Sequence, residues 1–83
     1  MTDVFVDGRE AERLVKDPTL TKALERIEQK TTERWRLAKS AAEREECHAT
    51  MRAVDAVRVE LQAMIGNKRM AEEREKTFGK SKR

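Results

Sequence analysis

A catalytic or metal site would have to be built from Cys, His or paired carboxylates, and this sequence holds one Cys, one His and a few Glu-Glu pairs. Cys47 and His48 are adjacent, so on a helix their side chains diverge by about 100°. A structural zinc takes four ligands and a catalytic one usually three, and no further Cys or His exists to complete either set. Nucleophilic catalysis needs a nucleophile, a base and an orienting group held together, which one His beside one Cys does not provide. Glu45-Glu46 and Glu72-Glu73 lie among Lys and Arg at positions that suit a solvated helical face, with little pocket in which to shift a pKa. Gly8, Gly66 and Gly79 are too widely spaced for a phosphate-binding loop. The expectation is a chain that is not an enzyme and takes no metal or cofactor.

The elements that would position any surface are helical. Charged residues make up 42% of the 83 residues and Gly plus Pro only four, a composition of charged long helices. Phe5, Trp35 and Phe78 are the only aromatic residues, too few for a β-rich core or a base-stacking platform. No apolar run approaches the ~20 residues that span a bilayer, and the first residues lack the pattern of a signal peptide. The single Cys47 fits a reducing cytoplasm and excludes an internal disulfide. Residues 1–67 carry 12 Lys/Arg against 13 Asp/Glu, whereas residues 68–83 carry 7 against 3, so the positive charge belongs to the tail.

Read along the chain, Val4, Phe5 and Val6 are the only cluster of β-formers and are expected to form an extended arm that docks on a groove. Asp7 is expected to cap a short helix over about residues 8–16, with Ala11, Leu14 and Val15 on one face. Asp17-Pro18 starts a second helix, about 18–39, because Asp accepts from free backbone N–H groups and Pro lacks a donor that would be unpaired there. Its apolar line is Leu20, Leu24, Ile27, Thr31, Trp35 and Ala38. Ser40 with Glu43 reads as a capping box opening a third helix, about 41–65, whose line is Cys47, Met51, Val54, Val57, Leu61, Met64 and Ile65. Gly66-Asn67 is expected to end it.

Phase separates the second and third helices. Ile27 and Val54 are 27 residues apart, about seven and a half turns, so in one rod their apolar lines would face opposite sides. A break near residues 39–42 instead turns the lines toward each other. The expected fold is all-α: a short N-terminal helix plus an antiparallel helical hairpin, forming a domain over residues 1–71, with a charged, basic-ended extension over residues 72–83.

Two sets of residues are expected to meet partners. Trp35, flanked by Arg34 and Arg36, is read as a core anchor or as a partner hot spot, and it is joined by the arm residues Val4, Phe5 and Val6. The basic set is Lys68, Arg69, Arg74, Lys76, Lys80, Lys82 and Arg83, diluted by Glu72, Glu73 and Glu75. It suits either a solvated extension or an electrostatic arm for nucleic acid, with no spacing for sequence-specific readout.

Gly8-Arg-Glu-Ala11, Asp17-Pro18, Trp35, Arg44-Glu45, Leu61-Gln62, Gly66 and Met70-Ala71-Glu72 occur in an order that resembles small helical proteins encoded beside the capsid and portal genes of tailed bacteriophages. The resemblance implies a non-enzymatic structural or virion-assembly protein. Such a protein would be made in the bacterial host cytoplasm, associate with the virion, and bind capsid, portal or tail components as a homo-oligomer or docked subunit. The alternative is a nucleic-acid-associated packaging or regulatory factor that uses the basic tail.

Overall fold

The computed structural model describes residues 3–81 and the side chains up to Thr77. The described chain is all-helical, 93% helix in three helices with no strand. They are α1 (Val4–Lys16), α2 (Pro18–Leu37) and α3 (Ala41–Ser81).

The first helix starts earlier than the sequence reading places it. Asp3 is the cap: its Oδ1 accepts from the Phe5 and Val6 N–H groups at 2.9 and 3.3 Å. Asp7 is already inside, donating its N–H to the Asp3 carbonyl at 2.9 Å. Val4, Phe5 and Val6 therefore form the first turn of α1 and not an extended arm. A satisfied Asp cap is worth about 1 kcal/mol, enough to offset the few tenths that β-branched residues cost in a helix.

Asp17 sits between α1 and α2 and serves both. Its N–H donates to the Leu14 carbonyl at 3.1 Å. Its Oδ1 accepts from Thr19 and Leu20 at 2.8 and 3.1 Å, with Pro18 in the first turn of α2. At the other connection, Ser40 Oγ accepts from the Glu43 N–H at 3.2 Å. The Glu43 carboxylate reaches back to Lys39 N–H at 3.3 Å, one residue earlier than in a standard capping box.

The α3 helix does not end at Gly66-Asn67. It continues to Ser81, and no described residue has a positive φ. A helix-ending preference at Gly is worth only about 1 kcal/mol, and tertiary contacts beyond it decide the outcome. Ile65 is buried, and Lys68 on the next turn is held by Glu12 of α1 at 2.6 Å. The helix crosses residue 71 without a break.

At 41 residues, α3 forms the spine of a rod 67 Å long and 25 by 20 Å across. Its first half is covered by α2, where ion pairs join residue 34 to 46 and residue 28 to 58, so the two helices run in opposite directions. Its second half is covered by α1. The radius of gyration is 18.5 Å, against about 12 Å for a compact domain of this length.

The core is correspondingly thin. Ala11, Cys47, Val54 and Ile65 are its buried apolar residues, together with Gly8 and with Thr31, whose hydroxyl donates to the Ile27 carbonyl at 2.6 Å. Among the α2 and α3 apolar lines, Ile27, Trp35, Val57 and Met64 are the exposed members, at 41, 48, 46 and 38%. Two helices facing each other cover a narrow strip, and side chains on its margins stay partly in water.

Candidate docking surfaces

Near the turn between α2 and α3, the two helices diverge enough to leave an open groove of about 200 Å³. Thr31, Thr32 and Trp35 line it from α2, and Cys47, His48 and Met51 from α3. The helical periods explain this grouping. Thr31 and Trp35 are one turn apart, as are Cys47 and Met51, so each helix contributes one edge of its apolar line. Cys47 is a buried free thiol that forms the floor. The ring of Trp35 is half in water and so forms a wall of the groove, and its reading as a core anchor does not hold.

A wider, more polar recess of about 460 Å³ shares Thr32 and Met51 with the groove and is rimmed by Glu25, Glu28 and Glu33. Two of these carboxylates are already engaged. Glu28 accepts from Arg58 at 2.7 Å, a hydrogen bond that holds its carboxyl below the usual range and raises the guanidinium. Glu33 pairs loosely with Arg36 at 3.7 Å.

The residues expected to act together are only partly assembled. Arg34 turns to Glu46 at 3.2 Å, on the flank of the helix pair away from the groove, and Arg36 stays on the surface. Val4 and Val6 are exposed and Phe5 is half-buried on α1, at the other end of the rod. The α3 positions that face α1 and line the groove, Lys68 and Cys47, are 21 residues or about 32 Å apart along the helix. The arm residues and Trp35 therefore do not form one surface.

The basic set also divides. Lys68 is not a free tail cation: its side chain is only 18% exposed, and its Nζ lies 2.6 Å from Glu12 and 3.5 Å from Glu72. The Glu12 hydrogen bond raises the Lys68 ammonium and lowers the Glu12 carboxyl. Arg69, Arg74 and Lys76 are exposed, with Lys76 at 3.9 Å from Glu73. The side chain of Lys80 and all of Lys82 and Arg83 lie outside the described residues.

Sequence reasoning missed the α1–α3 junction. Gly8 is buried directly against the Lys68 side chain, leaving no room for a Cβ. The available signal was a glycine in mid-helix, on the face of Ala11, where it costs helix stability unless a close approach requires it.

No cluster of three or more His, Cys, Asp or Glu able to hold a metal occurs among the described residues. Within the same residues, no helix is long and apolar enough to cross a membrane. Neither a protein-family model, nor a curated protein, nor a solved structure matches the chain.

Proposed function

We propose that this chain is a non-enzymatic docking protein: a charged-ended helical hairpin whose α2–α3 groove receives an apolar side chain of another macromolecule. One observation carries the reading. Trp35 stands 48% exposed over an apolar groove, and Trp is a residue type that often dominates binding energy. An aromatic left half in water gains its remaining burial only when a partner covers it.

The resemblance carried by Gly8-Arg-Glu-Ala11, Asp17-Pro18, Trp35 and Met70-Ala71-Glu72 gives the partner its class, a capsid, portal or tail component met during virion assembly. Quantitative mass spectrometry of purified virions and assembly intermediates tests this. The chain should be present at a fixed copy number and lost when Trp35 is changed to Ala. Its absence from both particles and intermediates would remove the virion reading.

Exposed Arg69, Arg74 and Lys76 support the second reading, contact with nucleic acid through the basic end. DNA affinity that falls steeply with salt would favour it, since each phosphate contact releases counterions. With Lys68 neutralised by Glu12, the cations able to take part are fewer than the sequence count suggests.

A further inference from the structure

Along α3, the flank away from the groove carries an apolar line at the margin of the covered strip, which α1 and α2 cover only in part. Val57 lies nine residues from His48, about two and a half turns, so it projects from the far side of the helix. Met64 follows seven residues later. Both are substantially exposed, at 46 and 38%, while Thr50 and Ala71, seven residues to either side, are half-buried. In sequence the spacing continues to Phe78. A seven-residue repeat keeps a line of side chains facing a partner helix, and it runs beside the covered line through Cys47 and Val54, which has the same spacing. Ile27 of α2, 41% exposed, lies across the helix from Thr32 of the groove and extends the same flank.

We infer that this flank pairs with a second copy of the chain, α3 against α3 in antiparallel order, giving a two-fold dimer. Charge fixes the direction. The opening of α3 holds Glu43, Glu45 and Glu46 against Arg44, and residues 68–83 carry 7 Lys/Arg against 3 Asp/Glu. With Met64 against Met64, antiparallel pairing sets residues 45–60, with four Asp/Glu against two Arg, beside residues 68–83 of the other copy, twice by symmetry, while parallel pairing would bring the two basic ends together. The Glu46–Arg34 pair on this flank is well exposed, so it competes only weakly. With Met64 against Met64, Val57 meets Ala71 of the second copy, a large side chain against a small one.

The areas agree with a dimer. The chain exposes 6962 Å², against about 5,100 Å² for a globular monomer of 9.6 kDa. The line from Thr50 to Ala71 is about 32 Å long. On a rod 25 by 20 Å thick, a face of this length offers at most roughly 600–800 Å² per copy, the upper end being near the share each partner buries in a standard complex.

The flank lies opposite the Trp35 groove, so the dimer and the docking reading are separable. Sedimentation equilibrium of the full chain at ~100 µM should give twice 9.6 kDa, with dissociation promoted by salt. Val57→Asp with Met64→Asp should raise the dissociation constant at least ~100-fold, because pairing would bury carboxylates, while circular dichroism keeps its helical signal. Trp35→Ala should leave the mass at that of the dimer. A wild-type monomer at that concentration overturns the inference, as does a dimer that survives both aspartates. Should the double variant unfold, Val57→Lys alone, at a side chain already half in water, decides by the same readout. Orientation is read by cross-linking: Val57→Cys mixed with Ala71→Cys should form disulfide-linked pairs and Val57→Cys alone should not. The reverse pattern overturns the antiparallel assignment.

Discussion

Gly8 of α1 lies so close to Lys68 of α3 that a Cβ built on the glycine would overlap the Cβ, Cγ and Cδ of the lysine. The two positions, 60 apart in sequence, are brought together by the turn at Asp17-Pro18 and the connection at residues 38–40. Beside this contact, Lys68 Nζ reaches Glu12 at 2.6 Å, so one lysine both packs under α1 and ties it down.

Gly8→Ala should therefore destabilise the protein even though the position is helical. At an open helical site the change gains about 1 kcal/mol in propensity. Here the obstacle includes the Lys68 Cβ, which is fixed to the α3 backbone and cannot swing aside. Overpacking of this kind costs about 1 to 3 kcal/mol, so the clash should exceed the propensity gain. A thermal melt should show a lower midpoint for Gly8→Ala, partly restored by Lys68→Gly in the double variant. An unchanged or higher midpoint for Gly8→Ala would mean that α1 does not approach α3 this closely.

Acid should loosen the hold of both α1 and α2 on α3. Glu12 and Glu28 are held below their ordinary value of 4.5 by hydrogen bonds from Lys68 and Arg58. A depressed carboxyl contributes stability that is present above its unfolded value and lost as pH falls through the folded one. Lys68 is raised above 10.5, so its share is intact below that value and is lost only as pH rises through the folded one. Melting temperature should be level between about pH 6 and 9 and fall below about 4.5. Glu12→Gln with Glu28→Gln should flatten the acid limb, and an acid limb unchanged in that variant would assign it to other carboxylates.

What the sequence made legible was chemistry that acts within a few residues. Asp17-Pro18 could be read because cap and proline work on their own turn. The start of α1 was placed too late, at Asp7, where the structure has Asp3 as the cap. The choice depends on whether Val4–Val6 join the helix, which their β-propensity argues against and the Asp3 hydrogen bonds favour. The α2 line Leu20 to Ala38 could be found by spacing, but spacing does not say how wide a strip one facing helix covers. That width leaves Ile27 and Trp35 partly in water. The Gly8–Lys68 contact has no local signature at all on the lysine side, where Lys68 reads as one more tail cation.

Trp35→Ala should separate folding from binding. A buried Trp costs about 3 to 5 kcal/mol on truncation, enough to unfold a chain of this size. With 48% of the residue exposed, about half of that loss is expected, roughly 1.5 to 2.5 kcal/mol. Circular dichroism should retain the helical signal with a modestly lower midpoint, while binding of an assembly partner fails. Complete unfolding would place the ring in the core instead.

Gly66→Ala offers the opposite expectation from Gly8→Ala, and the contrast tests the continuity of α3. Gly66 lies within the helix, its φ is not positive, and a Cβ there would meet nothing within 4 Å. Alanine should then stabilise by about 0.5 to 1 kcal/mol, through reduced unfolded-state freedom and better helix propensity. Were Gly66-Asn67 the end of the helix, with Gly66 left-handed, the same substitution would introduce a strained Cβ and cost about 1 kcal/mol or more. The sign of the change therefore distinguishes one 41-residue helix from a helix that stops near residue 65 and a separate extension. A chemical-denaturation midpoint is sufficient, because the slope should stay constant if only this site responds. A higher midpoint supports the continuous helix on which α1, the Lys68 clamp and the Val57–Met64 flank all depend, and a lower one removes it.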